Sequence, residues 1–213
     1  MWFFKEGNTN TVECPHCGAK HQVEFLSYDN VCLDGMPKLP VKDLMKRFAV
    51  CSKCGLLYTT GKHTPAKYAV TDEIYRNVFN MQYTDITEKK LCLLNTMYSP
   101  ACIPLFLAHY YAETHQENKR MQALQQAVDY IINHRDNYVQ ELHSCGDLTF
   151  EVEFLMQPEY RLVDLYRQMK EWDKATEQIE KLRNTRGNNK NKQLLRYLEH
   201  EELLLQKQDY MIQ

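Results

Sequence analysis

The chain has 213 residues, a length at which a folded protein hides roughly 70% of the surface that its unfolded form exposes, so a sizeable core fits within it. Hydrophobic residues make up 44% and charged residues 25%, with a formal net charge of -2, which excludes a disordered tail and gives no long-range pull toward nucleic acid or an anionic membrane. The longest apolar stretch, 101–108, falls far short of the ~20 residues of a spanning helix. Met1-Trp2-Phe3-Phe4 lacks the basic start and hydrophobic length of a secretory leader, so a cytoplasmic protein without a membrane partner is expected.

Helix breakers divide the chain into two unlike parts. Five of the seven glycines lie within the first 61 residues, and four of the seven prolines within the first 65. The fold class this predicts is mainly α: a small β zinc ribbon over 1–67 with an insertion between its knuckles, then a tetratricopeptide-like antiparallel helical domain over 68–213.

In the first part, Cys14-Pro15-His16-Cys17-Gly18 and Cys51-Ser52-Lys53-Cys54-Gly55 are two copies of one design, Cys-x-x-Cys followed by glycine. Two residues between thiols let one tight turn present both sulfurs to the same ion, and glycine allows the positive dihedral that turns the chain away. Cys14, Cys17, Cys51 and Cys54 are therefore the expected ligands of one structural Zn2+. Residues 21–25 and 56–60 read as strands leaving the knuckles, and 48–50 as a strand returning to the second. The 33 residues between Cys17 and Cys51 exceed the usual spacing of about 15 to 20, so an insertion is expected, with a loop over 31–40 and a helical turn over 41–47.

Other chemistry for these thiols fits less well. A redox dithiol belongs at a helix start near a βαβ pattern, which neither copy has. A catalytic zinc needs an open position, and four thiolates close the shell without help from Cys32, His16, His21 or His63. His16 reads as a solvated residue between two ligands, and Cys32 as an inert thiol.

After Lys67 the apolar spacing becomes helical. Asp85-Ile86-Thr87-Glu88 offers a capping box ahead of Leu91 and Leu94, and Ser99-Pro100 an N-cap for a helix burying Ile103, Phe106, Leu107, Tyr110 and Tyr111. A stripe from Met121 to Leu142 predicts one long helix over 117–143, ended near Gly146. Shorter helices are expected over 149–156, 158–170, 172–184 and 190–208, with a turn at 186–189.

Leu162, Tyr166, Trp172, Ala175, Ile179 and Leu182 fall where a tetratricopeptide repeat places its apolar, aromatic and small residues, with Tyr166 and Trp172 as buried wedges. A weaker upstream copy runs through Leu107, Ala108, Tyr111, Ala123, Ala127 and Ile131, with a longer turn expected near 115–120. The two cysteine knuckles, this helical array and the run from Leu165 to Ala175 together resemble an uncharacterised bacterial protein family. That resemblance implies zinc and a helical scaffold and brings no reaction.

No phosphate-cradling glycine loop, zinc-protease motif or nucleophile elbow is present. His109 and Glu113, one helical turn apart near His115, read as packing neighbours. Cys92, Cys102 and Cys145 read as small buried hydrophobes, and His143-Ser144-Cys145 has adjacency without the geometry that a base requires. The leading expectation is a non-enzymatic scaffold or adaptor that binds a protein or peptide partner through its helical domain. Arg161, Asp164, Arg167 and Gln168, read as the solvent side of the helix over 158–170, are the expected contact residues. The alternative is a nucleic-acid adaptor using the ribbon, whose lysines and Arg47 would hold phosphates while Phe48 and Tyr58 stack on bases.

Overall fold

The computed structural model describes residues 9–24, 40–59, 72–97, 103–144, 157–185 and 192–210. The predictions at 25–39, 60–71, 98–102, 145–156 and 186–191, which include Cys32, His63, Ser99-Pro100, Cys102, Cys145, the helix over 149–156 and the turn after Thr185, lie outside the described residues. The chain is mainly helical and divides into two compact units, the first running through α3 and the second holding α4 to α9.

The first unit begins with two hairpins. β1 (Thr9–Glu13) pairs antiparallel with β2 (Lys20–Glu24), and β3 (Phe48–Val50) with β4 (Leu57–Thr59). In the first hairpin the last pair before the turn is Glu13 with Lys20, and in the second it is Val50 with Leu57, so each cysteine knuckle is the turn of its own hairpin. The expected helical turn is α1 (Val41–Leu44) running into a 3-10 turn over Met45–Arg47. Val41, Leu44, Met45 and Phe48 are buried beneath it. β1 escaped the sequence reading because Thr-Asn-Thr-Val-Glu carries a single strongly apolar residue; its pairing with β2 makes it a strand.

Two helices belong to this unit, although the sequence division at 67 assigned them to the helical domain. In α2 (Glu73–Asn80), Asp72 caps the first turn by accepting from the Tyr75 N–H at 2.9 Å. The Tyr75 hydroxyl accepts from Leu57 N–H at 2.7 Å and donates to Gly55 O at 2.9 Å, which fixes α2 to the second knuckle. In α3 (Ile86–Met97), Asp85 Oδ1 accepts from the N–H groups of Thr87 and Glu88, while Glu88 Oε2 accepts from Thr84 N–H. The expected capping residues thus operate, with Glu88 reaching one residue further back than a standard box. Lys90 Nζ donates to Met45 O at 2.9 Å and ties α3 to the 3-10 turn.

In the second unit α4 (Ile103–Glu113) packs on α5 (Glu117–Asn133), and α7 (Pro158–Gln168) on α8 (Trp172–Asn184). The two pairs turn in the same way. His115 (φ 56°) and Lys170 (φ 64°) occupy the left-handed region. His115 N–H donates to Ala112 O and Gln116 N–H to Tyr111 O, just as Lys170 N–H donates to Arg167 O and Glu171 N–H to Tyr166 O. Both linkers have three residues, so the upstream turn is not longer, as the sequence reading expected. In this register Arg120 stands where Ala175 stands in the downstream pair, and both are buried.

The single helix expected over 117–143 is two, α5 and α6 (Tyr138–Ser144). The stripe breaks because Asn133-His134-Arg135-Asp136-Asn137 offers five polar residues in succession and Ile132 is exposed, leaving no buried side to carry the helix on. The break is bridged, with the Tyr130 hydroxyl donating to the Glu141 carboxylate and the Tyr130 ring stacked on His134. α9 (Lys192–Gln206) completes a core with Val163, Ile179, Leu182, Leu194, Tyr197 and Leu198. Leu162, Tyr166 and Ala175 are buried as expected, whereas Trp172 is only half-buried, since it opens α8 at the edge of the pair.

Candidate metal centre

The site is built by backbone before side chains. In the first knuckle Gly18 N–H donates to Cys14 O at 2.9 Å and Cys14 N–H to Ala19 O at 2.8 Å; in the second, Gly55 N–H donates to Cys51 O and Cys51 N–H to Leu56 O, both at 2.8 Å. Both glycines adopt positive φ, 69° at Gly18 and 79° at Gly55, where a side chain is strained. They differ in surroundings. A Cβ on Gly18 meets nothing within 4 Å, whereas one on Gly55 would lie 3.1 Å from the Phe79 ring of α2. Gly55→Ala is therefore expected to lower stability by roughly 1–3 kcal/mol and Gly18→Ala by less, from dihedral strain alone. Denaturant midpoints of the two variants check the order, and equal losses would remove the Phe79 contact as a cause.

The four sulfurs of Cys14, Cys17, Cys51 and Cys54 lie within 4.8 Å of one another. Across the knuckles, Cys14 Sγ is 3.6 Å from Cys54 Sγ and Cys17 Sγ is 3.5 Å from Cys51 Sγ. A tetrahedron with metal–sulfur bonds of about 2.3 Å has edges of about 3.8 Å, so these spacings can hold a metal ion. Cys14 and Cys51 are buried, and Cys17 and Cys54 half-buried. Among the described residues this is the one group of histidine, cysteine or carboxylate side chains with metal-binding geometry.

The thiols of the metal-free site are unequal. Burial pushes Cys54 up to about 12, reinforced by hydrogen bonding with Cys51, Cys14 and Cys17, and burial also raises Cys14. For Cys51 burial opposes ionisation but is outweighed by donation from the backbone of Cys54 and Lys53 and from the side chains of His21 and Cys17, which brings it down to about 6. Burial and the four surrounding thiolates push the neighbouring Tyr58 hydroxyl up to about 12. At neutral pH a metal must then displace at least the protons of Cys14 and Cys54. Protons compete with the ion, so affinity falls as pH falls, on the order of 100-fold per unit for two displaced protons. Chelator competition at several pH values checks the slope.

The other expected residues are distributed otherwise. His16 is exposed, as a residue facing away from the ligands should be. His109 Nε2 lies 3.0 Å from Glu113 Oε1, a helical neighbour pair, and His115 is exposed in the α4–α5 turn. Cys92 is half-buried. Phe48 and Tyr58 are 3% and 2% exposed and face into the ribbon, so the stacking surface expected for nucleic acid is absent at these two residues.

The charged side of α7 requires the main correction. Arg161, Asp164, Arg167 and Gln168 are 8%, 3%, 0% and 4% exposed, not solvent-facing. Arg167 donates through Nε to Glu201 Oε2 and through Nη2 to Asp164 Oδ1, each at 2.7 Å, and through Nη1 to Asp209 O at 3.0 Å. Gln168 Nε2 donates to both Asp164 oxygens. Arg120 of α5 donates to Glu117, to Gln168 O and to Tyr210 O. Polarity alone assigns such a side to water; here α9 brings a carboxylate against it, and charges that complete one another are tolerated inside. The sequence marked neither Arg120 nor Glu201, and each is buried amid apolar helix positions.

Fold and site together define a four-cysteine ribbon with its own two helices, followed by a separate helical unit. Comparison with protein-family models, curated proteins and solved structures finds no match to this chain. No helix among the described residues is long and apolar enough to cross a membrane.

Proposed function

We propose that the protein is a non-enzymatic zinc-binding scaffold: the ribbon holds one structural Zn2+ through Cys14, Cys17, Cys51 and Cys54, and the helical unit serves a protein or peptide partner. The observation that carries the metal half is the convergence of four sulfurs within 4.8 Å from two hairpin turns. Four thiolates saturate a tetrahedral ion, so no position is left for water or substrate, and the ion's work is to join the hairpins. The partner half is supported by the paired helices α4–α5 and α7–α8 and by the tetratricopeptide-like spacing from Leu162 to Leu182.

Metal analysis is expected to find one zinc per chain in a colourless protein. Iron, which four thiolates also accept, would give visible charge-transfer colour and replace the zinc reading, and no metal would end it. For the partner, affinity capture by the full chain is expected to recover a protein that a metal-free Cys14→Ser variant still retains. Loss of that protein from the variant would place the contact on the ribbon.

A further inference from the structure

The cross-knuckle distances bring the four thiols close enough in pairs for a second chemistry. Each close pair, Cys14 with Cys54 at 3.6 Å and Cys17 with Cys51 at 3.5 Å, joins one buried sulfur to one half-buried sulfur and one hairpin to the other. Bonding within a knuckle would join only residues of one turn, which the Gly18–Cys14 and Gly55–Cys51 hydrogen bonds already hold. We infer that the ribbon is a peroxide-sensitive thiol switch in which Cys14 bonds to Cys54 and Cys17 to Cys51 as the metal leaves. This rests on the zinc reading for the ion released.

The electrons and atoms balance with a hydroperoxide as oxidant. The thiolate of a half-buried cysteine, Cys17 or Cys54, attacks a peroxide oxygen, becomes a sulfenic acid and releases hydroxide. The buried partner's thiolate attacks that sulfur, the S–S bond forms and a second hydroxide leaves. Each pair gives up two electrons to one peroxide, so two peroxides convert four thiolates to two disulfides and free one Zn2+. Both bonds tie β1–β2 to β3–β4 across 40 and 34 residues of sequence, so they take over the ion's role of holding the hairpins together. Oxidation would then expel the metal while the ribbon stays folded, and a reducing thiol with zinc would restore it.

The test treats the full metal-loaded chain with hydrogen peroxide, then blocks free thiols by alkylation and digests with trypsin. Cleavage after Lys5, Lys20, Arg47, Lys53 and Lys62 puts Cys14 and Cys17 in fragment 6–20, Cys51 in 48–53 and Cys54 in 54–62. The expected product is all three fragments joined, with one zinc released per two disulfides. Fragment 6–20 carrying its own internal disulfide, or cysteines over-oxidised without bonding, would overturn the inference. Tandem mass spectrometry of the joined fragments is expected to place Cys14 on Cys54 and Cys17 on Cys51; the reverse cross-pairing, Cys14 with Cys51 and Cys17 with Cys54, would overturn it. Metal content measured before oxidation judges the zinc reading separately, because the bond positions in the joined fragments are read whichever ion the four thiolates held.

Discussion

Arg167→Glu is expected to unfold the second unit. The substitution removes the guanidinium that joins Asp164 of α7 to Glu201 of α9 and places a third carboxylate beside them, at a position with no access to water. Removing one partner from a buried ion pair costs about 3–5 kcal/mol, and like-charge repulsion adds to this, against a typical domain stability of about 5–15 kcal/mol. Denaturant unfolding followed by circular dichroism is the measurement. Had this side faced solvent, as its polarity suggests, the same substitution would cost almost nothing, and an unchanged midpoint would return Arg167 to the surface. A second comparison separates network from residue. Replacing Arg167, Asp164 and Glu201 together by Met, Leu and Leu is expected to recover much of the lost stability, because apolar groups of similar volume leave no buried charge unmatched.

The other large effect is loss of a ligand. Structural zinc contributes apparent binding free energies of about 10–16 kcal/mol in small domains, more than the first unit's strands can supply without it. Cys51→Ser is expected to abolish stoichiometric metal binding and melt both hairpins. It should also release α2 and α3, because Tyr75 holds α2 to Gly55 and Leu57 beside the ligands, and Lys90 holds α3 to Met45. The circular dichroism loss should then correspond to strands plus two helices of 8 and 12 residues, with α4 to α9 retained. Hydrogen exchange resolves this by segment. Protected α2 and α3 in the variant would show that these helices stand without the ribbon, and loss of protection throughout would contradict two separate units.

The ribbon was legible because its information is local. A Cys-x-x-Cys-Gly turn needs only five residues to fix a backbone path, and two copies leave one economical arrangement of sulfurs. α8 is likewise read to its ends, since Trp172 to Asn184 carries an unbroken apolar stripe between an acidic first turn and a basic last one. The split of the 117–143 stripe was harder to see, because period alone extends a helix through any polar gap and does not record that Ile132 has nothing to pack against. Likewise β1 becomes a strand through β2, which no window around Thr9 contains.

What the sequence determined by itself is the four-cysteine cluster, the mainly helical class and the faces that build the α4–α5 and α7–α8 cores, all carried by spacing within one turn or one helix. Tertiary structure decided where the first unit ends and what becomes of the polar side of α7. Tyr75, Phe79 and Lys90 join the ribbon only because their partners lie 18 to 45 residues away in sequence, and the α7 charges are buried only because α9 returns with Glu201. A charge shows its own hydration preference in sequence, but its burial depends on whether a distant helix brings the opposite charge within hydrogen-bond reach.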